Sequence, residues 1–187
     1  GHGRTGEAMW SFQRFGITPD FVTLGKPMGN GHPMAAVITR RELLEGFADE
    51  TVVFSTLGDN PVSAEAGLAV LDVLDDERVL PRVVVAGEAL RAAIGEVAAD
   101  ASCIGDVRGM GLANGIEIVT DRDSKAPDAA TAAALRNALK RHGVLVGTTA
   151  AAVNVIKVRP PLAFTDREVP LFVDALVASL RELDLLG

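Results

Sequence analysis

Lys26 stands where a solvated charge is hard to account for. It follows an apolar run, Phe21-Val22-Thr23-Leu24-Gly25, and precedes the loop Pro27-Met28-Gly29-Asn30-Gly31-His32-Pro33. The run reads as a buried strand. An ammonium group resists burial and loses basicity when desolvated. A neutral amine on a rigid strand end is the nucleophile a carbonyl-bearing cofactor needs to form a Schiff base. An ordinary exposed lysine beside a glycine loop fits the same local pattern, so the motif alone leaves both readings open. His32 reads as a loop or core histidine, and His2, His142 and Cys103 carry no chemical pattern of their own.

Composition narrows the function classes. The 187 residues are 48% hydrophobic, enough to bury the core of one domain or two small ones. A net charge of -7 and a pI near 4.9 argue against a nucleic-acid surface, which needs clustered Lys and Arg. A single cysteine excludes an internal disulfide and any multi-cysteine zinc site, and no metal is expected. The same cysteine usage points to a reducing, cytoplasmic setting. No apolar run approaches the roughly 18 residues of a membrane span. The opening Gly1-His2-Gly3-Arg4-Thr5-Gly6 has loop composition, no starting Met and no signal-peptide pattern, and reads as the interior of a longer polypeptide.

Two rhythms divide the chain. In the first, the apolar runs 21–25, 34–39 and 52–55 read as strands buried on both faces, as in an α/β layer, with a short helix over 41–47. Asn60-Pro61 opens a long helix, with Asn60 as N-cap and Pro61 at the first helical position. Asp75-Asp76-Glu77 interrupts it, and a second helical stretch spans 80–99. Beyond Cys103 a glycine-rich turn is expected over 107–111 and an alternating strand over 112–119. Asp128 caps a helix that Gly143 ends, and strands follow at 144–146 and 155–158. Thr165-x-x-Glu168 has the capping-box form and opens a last helix striped by Val169, Phe172, Val173, Leu176, Leu180 and Leu183, with Pro170 awkwardly placed in its first turn. The second rhythm is that of a small α+β unit.

Three segments in order carry a family resemblance: Gly1-His2-Gly3-Arg4-Thr5-Gly6, Pro19-Asp20-Phe21-Val22-Thr23-Leu24-Gly25-Lys26 and Thr56-Leu57-Gly58-Asp59-Asn60-Pro61. With Val107-Arg108-Gly109-Met110-Gly111-Leu112 and Arg159-Pro160-Pro161-Leu162, they resemble the class III aminotransferases, fold type I enzymes using pyridoxal 5′-phosphate (PLP). The implied architecture is the C-terminal part of the PLP-binding large domain over 1–76, a connecting helix over 77–102 and a small α+β domain over 103–187. By the same resemblance Lys26 holds PLP as a Schiff base and shuttles protons. Thr56 reaches the cofactor phosphate of the other subunit of a homodimer, its plainer reading being a hydroxyl before the Asn60 helix. Arg4 falls in a loop near the active site, or in a structural turn.

The resemblance also implies substrates: an amine or amino acid and a keto acid. Many members grip a substrate carboxylate with an arginine where this chain has Lys157, with Arg159 directly before Pro160. A lysine lacks the planar fork that suits a carboxylate. The segments 25–33 and 154–157 look closest to an ethanolamine-phosphate phospho-lyase-like subgroup, which eliminates phosphate from an amino-alkyl phosphate. Transamination, the commoner activity, is the first expectation and phosphate elimination the alternative. The family's pyridine-binding aspartate, phosphate loop and stacking aromatic would lie upstream of Gly1. A non-catalytic remnant serving only as a structural or interaction module is the third reading.

Overall fold

The structure is a computed structural model that describes residues 1–52 and 54–187. Its best-packed region is an antiparallel sheet of β3 (Ile104–Met110), β4 (Ala113–Asp121), β7 (Val155–Val158) and β6 (Gly147–Thr149), in the order β3-β4-β7-β6. A short β5 (Ala126–Pro127) pairs with β4. Ile116, Ile118, Ile156 and Val158 leave one sheet face and meet three helices: α3 (Val79–Ala99), α4 (Ala129–Arg141) and α5 (Val169–Glu182). Leu90 and Ile94 of α3, Leu135 and Leu139 of α4, and Leu176 and Leu180 of α5 are all fully buried there. Each such side chain contributes about 1.5–3 kcal/mol by leaving water, so this face holds the unit together.

The expected helix boundaries follow from their caps. Asn60 Oδ1 accepts from the Ser63 amide at 3.0 Å, so α2 runs Pro61–Asp76. Asp128 Oδ1 accepts from the Thr131 amide at 2.9 Å. The Thr165 amide donates to Glu168 Oε2 at 2.7 Å, but this box closes a one-turn 3-10 segment, Asp166–Glu168. The α-helix proper begins at Val169, which puts Pro170 in its first turn, where a missing N–H costs nothing.

Several strand expectations fail for identifiable reasons. Residues 107–110 form the end of β3 rather than a turn, because their amides and carbonyls pair with β4 and the reversal waits until Gly111 and Leu112. Residues 144–146 form no strand: the Val144 amide donates to Leu139 O at 2.8 Å, closing α4. The ladder resumes at β6. Of the strand expected over 52–55, Val53 lies outside the described residues and its neighbours carry no strand.

The first apolar runs form β1 (Phe21–Leu24) and β2 (Ala36–Thr39), paired antiparallel and followed by α1 (Arg41–Glu50). They are not buried on both faces. Val37 is 64% exposed, Phe21 56% and Ile38 51%, because no other described strand pairs with them. The whole chain exposes 11344 Å², where a folded 19.5 kDa chain exposes about 8,500 Å². Among the described residues, no helix is long and apolar enough to cross a membrane.

Candidate functional site

Lys26 opens a one-turn 3-10 helix, Lys26–Gly29, directly after β1. Its backbone is left-handed, φ 51°, a conformation that a non-glycine residue adopts at a cost. Contrary to the sequence expectation, its side chain is exposed. It sits on the rim of an open cavity of about 510 Å³, lined also by Thr23, Gly25, His2, Trp10 and Phe12. Trp10 stands edge-on to the His2 ring, centroids 5.3 Å apart. His2 is only 8% exposed, and neither ring nitrogen has a hydrogen-bond partner. Burial holds its pKa below the ordinary histidine value, so the ring is neutral near pH 7.

The loop after Lys26 is tied to α2 by His32, whose Nε2 lies 2.8 Å from Ser63 Oγ. That contact explains His32 as an anchor of the lysine loop. Thr56 is exposed in the turn before α2, where Ser55 Oγ accepts the Gly58 amide at 2.8 Å. It lines neither this cavity nor the neighbouring one.

A second cavity of about 580 Å³ shares Gly1, His2 and Pro27 with the first and lies between α2 and Pro161-Leu162-Ala163. Arg4 and Arg82 supply its positive charge, Glu77 its negative. Lys157 lines neither cavity. It sits on the face of β7 away from the helices, half-buried, with a glycine opposite it on both neighbouring strands: Gly115 on β4 and Gly147 on β6. A Cβ at Gly147 would lie 3.5 Å from Lys157 Cε, so the aliphatic stem crosses that glycine. Arg159, exposed, follows the strand. The chain thus gathers Lys26 with His2 and Trp10, and Thr56, Lys157 and Arg159 are not among the residues lining that cavity.

The sequence left Arg4 equally between a structural turn and a loop near the active site. Its Nη1 donates to Pro160 O at 2.6 Å and to Leu112 O at 3.2 Å, while its own carbonyl accepts from the Leu112 amide at 3.0 Å. Burial, then the nearby Arg159 charge, lowers its pKa from the usual arginine value. A lone arginine within a glycine loop was the available signal. Cys103 is buried, and its thiol pKa is raised chiefly by burial, so it is unreactive in this setting.

The aminotransferase class-III family model matches residues 1–180. Ethanolamine-phosphate phospho-lyase homolog 1 of Caenorhabditis elegans is 40% identical over 179 residues, which is 94% of this chain and 38% of that protein. Alanine–glyoxylate aminotransferase 2-like of Drosophila melanogaster is 38% identical over 188 residues, 97% of this chain and 38% of its own length. Among solved structures, an Arthrobacter phospholyase in complex with phosphoethanolamine superposes with a TM-score of 0.91 at 40% identity, covering 97% of this chain and 43% of that one. This chain therefore spans well under half the length of the relatives it matches. Its mixed α/β architecture is that of the corresponding part of a fold type I aminotransferase. The chain belongs to the class III aminotransferases, a family of PLP-dependent enzymes.

Proposed function

We propose that the enzyme built from this chain eliminates phosphate from an amino-alkyl phosphate such as ethanolamine phosphate. The observation that carries the reading is Lys157, flanked by Gly115 and Gly147 in register. An ammonium on a flexible stem binds a phosphate as a compact point charge, and it lacks the guanidinium fork that grips a carboxylate bidentately. The phospho-lyase relative and the phosphoethanolamine-bound neighbour support it.

The residues present fit PLP. Lys26 offers an exposed primary amine on the rim of a cavity walled by aromatic side chains, beside a neutral histidine with unsatisfied nitrogens. PLP, when bound, supplies an electron sink for the substrate's amino-bearing carbon. Lys26 Nζ is the covalent anchor and, once freed, takes a proton from that carbon. Lys157 Nζ binds the phosphate, and Arg159 adds a second positive charge nearby. Loss of that proton allows the adjacent carbon–oxygen bond to break, and phosphate departs. With ethanolamine phosphate and water, the products are inorganic phosphate, ammonia and acetaldehyde.

Thr56, exposed and outside the lining of the Lys26 cavity, suits a hydrogen bond to the cofactor phosphate of a partner subunit. We therefore assign a homodimer with shared sites. The buried, single Cys103 accords with a cytoplasmic setting.

Transamination is the second reading, favoured by the aminotransferase 2-like relative. One assay separates the two. The intact enzyme is given ethanolamine phosphate, and in parallel alanine with glyoxylate. Release of inorganic phosphate that Lys157→Met abolishes supports elimination. Pyruvate formation without phosphate release overturns it.

A further inference from the structure

We infer that Arg4 is a positioning residue for Lys157, coupling the wall of the Lys26 cavity to the strand pair that carries the phosphate-binding ammonium. The inference rests on the reading of Lys157 given above. Arg4 belongs to the loop whose Gly1 and His2 line the Lys26 cavity. Its guanidinium spans the ends of the two strands that hold Lys157. Pro160, whose carbonyl takes the 2.6 Å bond, follows β7, and Leu112, whose carbonyl takes the 3.2 Å bond, precedes β4. The return bond from the Leu112 amide to Arg4 O, 3.0 Å, closes a two-way tie between loop and sheet.

The tie has no slack behind it. A Cβ at Gly111 would lie 2.5 Å from Arg4 O, and a Cβ at Gly87 of α3 would lie 2.2 Å from Gly111 O. Loop, turn and helix are thus stacked backbone to backbone. Close-packed interiors transmit displacement rather than absorb it, so loosening Arg4 moves the ends of β4 and β7 relative to the Lys26 cavity. No carboxylate pairs with Arg4 among the described residues. Its Nη1 bonds both go to carbonyls, which is a geometric role rather than a charge-neutralising one.

The test uses the intact, PLP-loaded enzyme and the cofactor absorption band, titrated with ethanolamine phosphate and with ethanolamine. Arg4→Met should weaken ethanolamine phosphate by ten- to a hundredfold, the penalty of a misplaced binding group, and leave ethanolamine and PLP affinity within about twofold. In the Lys157→Met background, the same change should add nothing, because the residue it positions is gone. Additive losses in the double variant, or an equal loss for ethanolamine, overturn the inference. Lys157→Met without effect on ethanolamine phosphate sinks the reading of Lys157 and the inference with it. Should Arg4→Met fail to fold, Arg4→Lys keeps one donor for a carbonyl. It should show a smaller loss with the same non-additivity, and an additive loss again refutes the proposal.

Discussion

Helix α3 contains two glycines in opposite settings, and the same substitution should act on them with opposite sign. Gly95 is exposed, and a Cβ there meets nothing within 4 Å. Gly95→Ala should stabilise by about 0.5–1 kcal/mol, from helix propensity and a less flexible unfolded chain. Gly87 faces the turn between β3 and β4, where a Cβ would lie 2.2 Å from Gly111 O, 2.5 Å from Gly111 C and 2.7 Å from Gly111 Cα. Those atoms are all backbone, and the oxygen is about 1 Å inside ordinary contact. Helix and turn must separate, at a cost of about 1–3 kcal/mol or more, against which the propensity gain of about 1 kcal/mol is small. At about 2–4 °C per kcal/mol for a chain of this size, Gly95→Ala should raise the melting temperature slightly and Gly87→Ala should lower it by several degrees. Thermal unfolding by circular dichroism on both variants decides the matter. If Gly87→Ala melts at or above the wild-type temperature, the stack of helix, turn and Arg4 loop is not rigid.

Asp128→Ala should cost about 0.5–2 kcal/mol through the lost α4 cap. Thr131 holds the Asp128 pKa below the ordinary aspartate range, through its hydroxyl and then its amide. The cap's contribution is thus complete above that range and fades as pH falls through it. Urea titrations at pH 7 and pH 3 should show the wild-type advantage shrinking in acid; a constant gap refutes the cap. Arg122 donates from Nε to Ile104 O at 3.1 Å and from Nη2 to Ala101 O at 2.8 Å and Ala98 O, gathering carbonyls at the C-terminus of α3. Arg122→Met should cost about 1.5–3 kcal/mol in urea unfolding, and a loss below about 0.5 kcal/mol would count against that clamp. Borohydride reduction of the PLP-loaded enzyme followed by peptide mapping should place the label on Lys26, and a label elsewhere removes its assigned role. Thr56→Ala should weaken PLP binding by about 1.5–3 kcal/mol, and an unchanged dissociation constant removes Thr56 from the shared site.

Much of the helical structure could be read from residue types, because its signals are local. Asn60, Asp128 and Thr165 each bond an amide within three residues, and the α5 stripe repeats at helical spacing. What stayed hidden depends on partners far away in the chain. Residues 107–110 look like a turn until β4 is beside them, and the strand expected at Val144 is pre-empted by a bond to Leu139. The burial inferred for residues 21–25 presumed covering layers that the described chain does not contain. Lys26 was singled out from its motif, but its exposure was not foreseen, since exposure depends on what lies against the rim. Arg4 stayed between two readings because its acceptors, Leu112 and Pro160, are backbone carbonyls distant in the chain.

The way the opening loop is fastened also settles how the molecule divides as a mechanical object. Gly3 and Met9 are bonded to each other, Met9 packs on the cluster around Val83 and Leu112, and Arg4 grips the ends of β4 and β7. Residues 1–9 therefore travel with α3 and the larger sheet, not with the hairpin they precede. Gly16, at φ 63°, is held there as the cap of the 3-10 turn Ser11–Phe15, its amide donating to Gln13 O at 3.1 Å. The opening loop thus carries Gly1 and His2 in the wall of the cavity, while the lysine on its rim is carried by the hairpin.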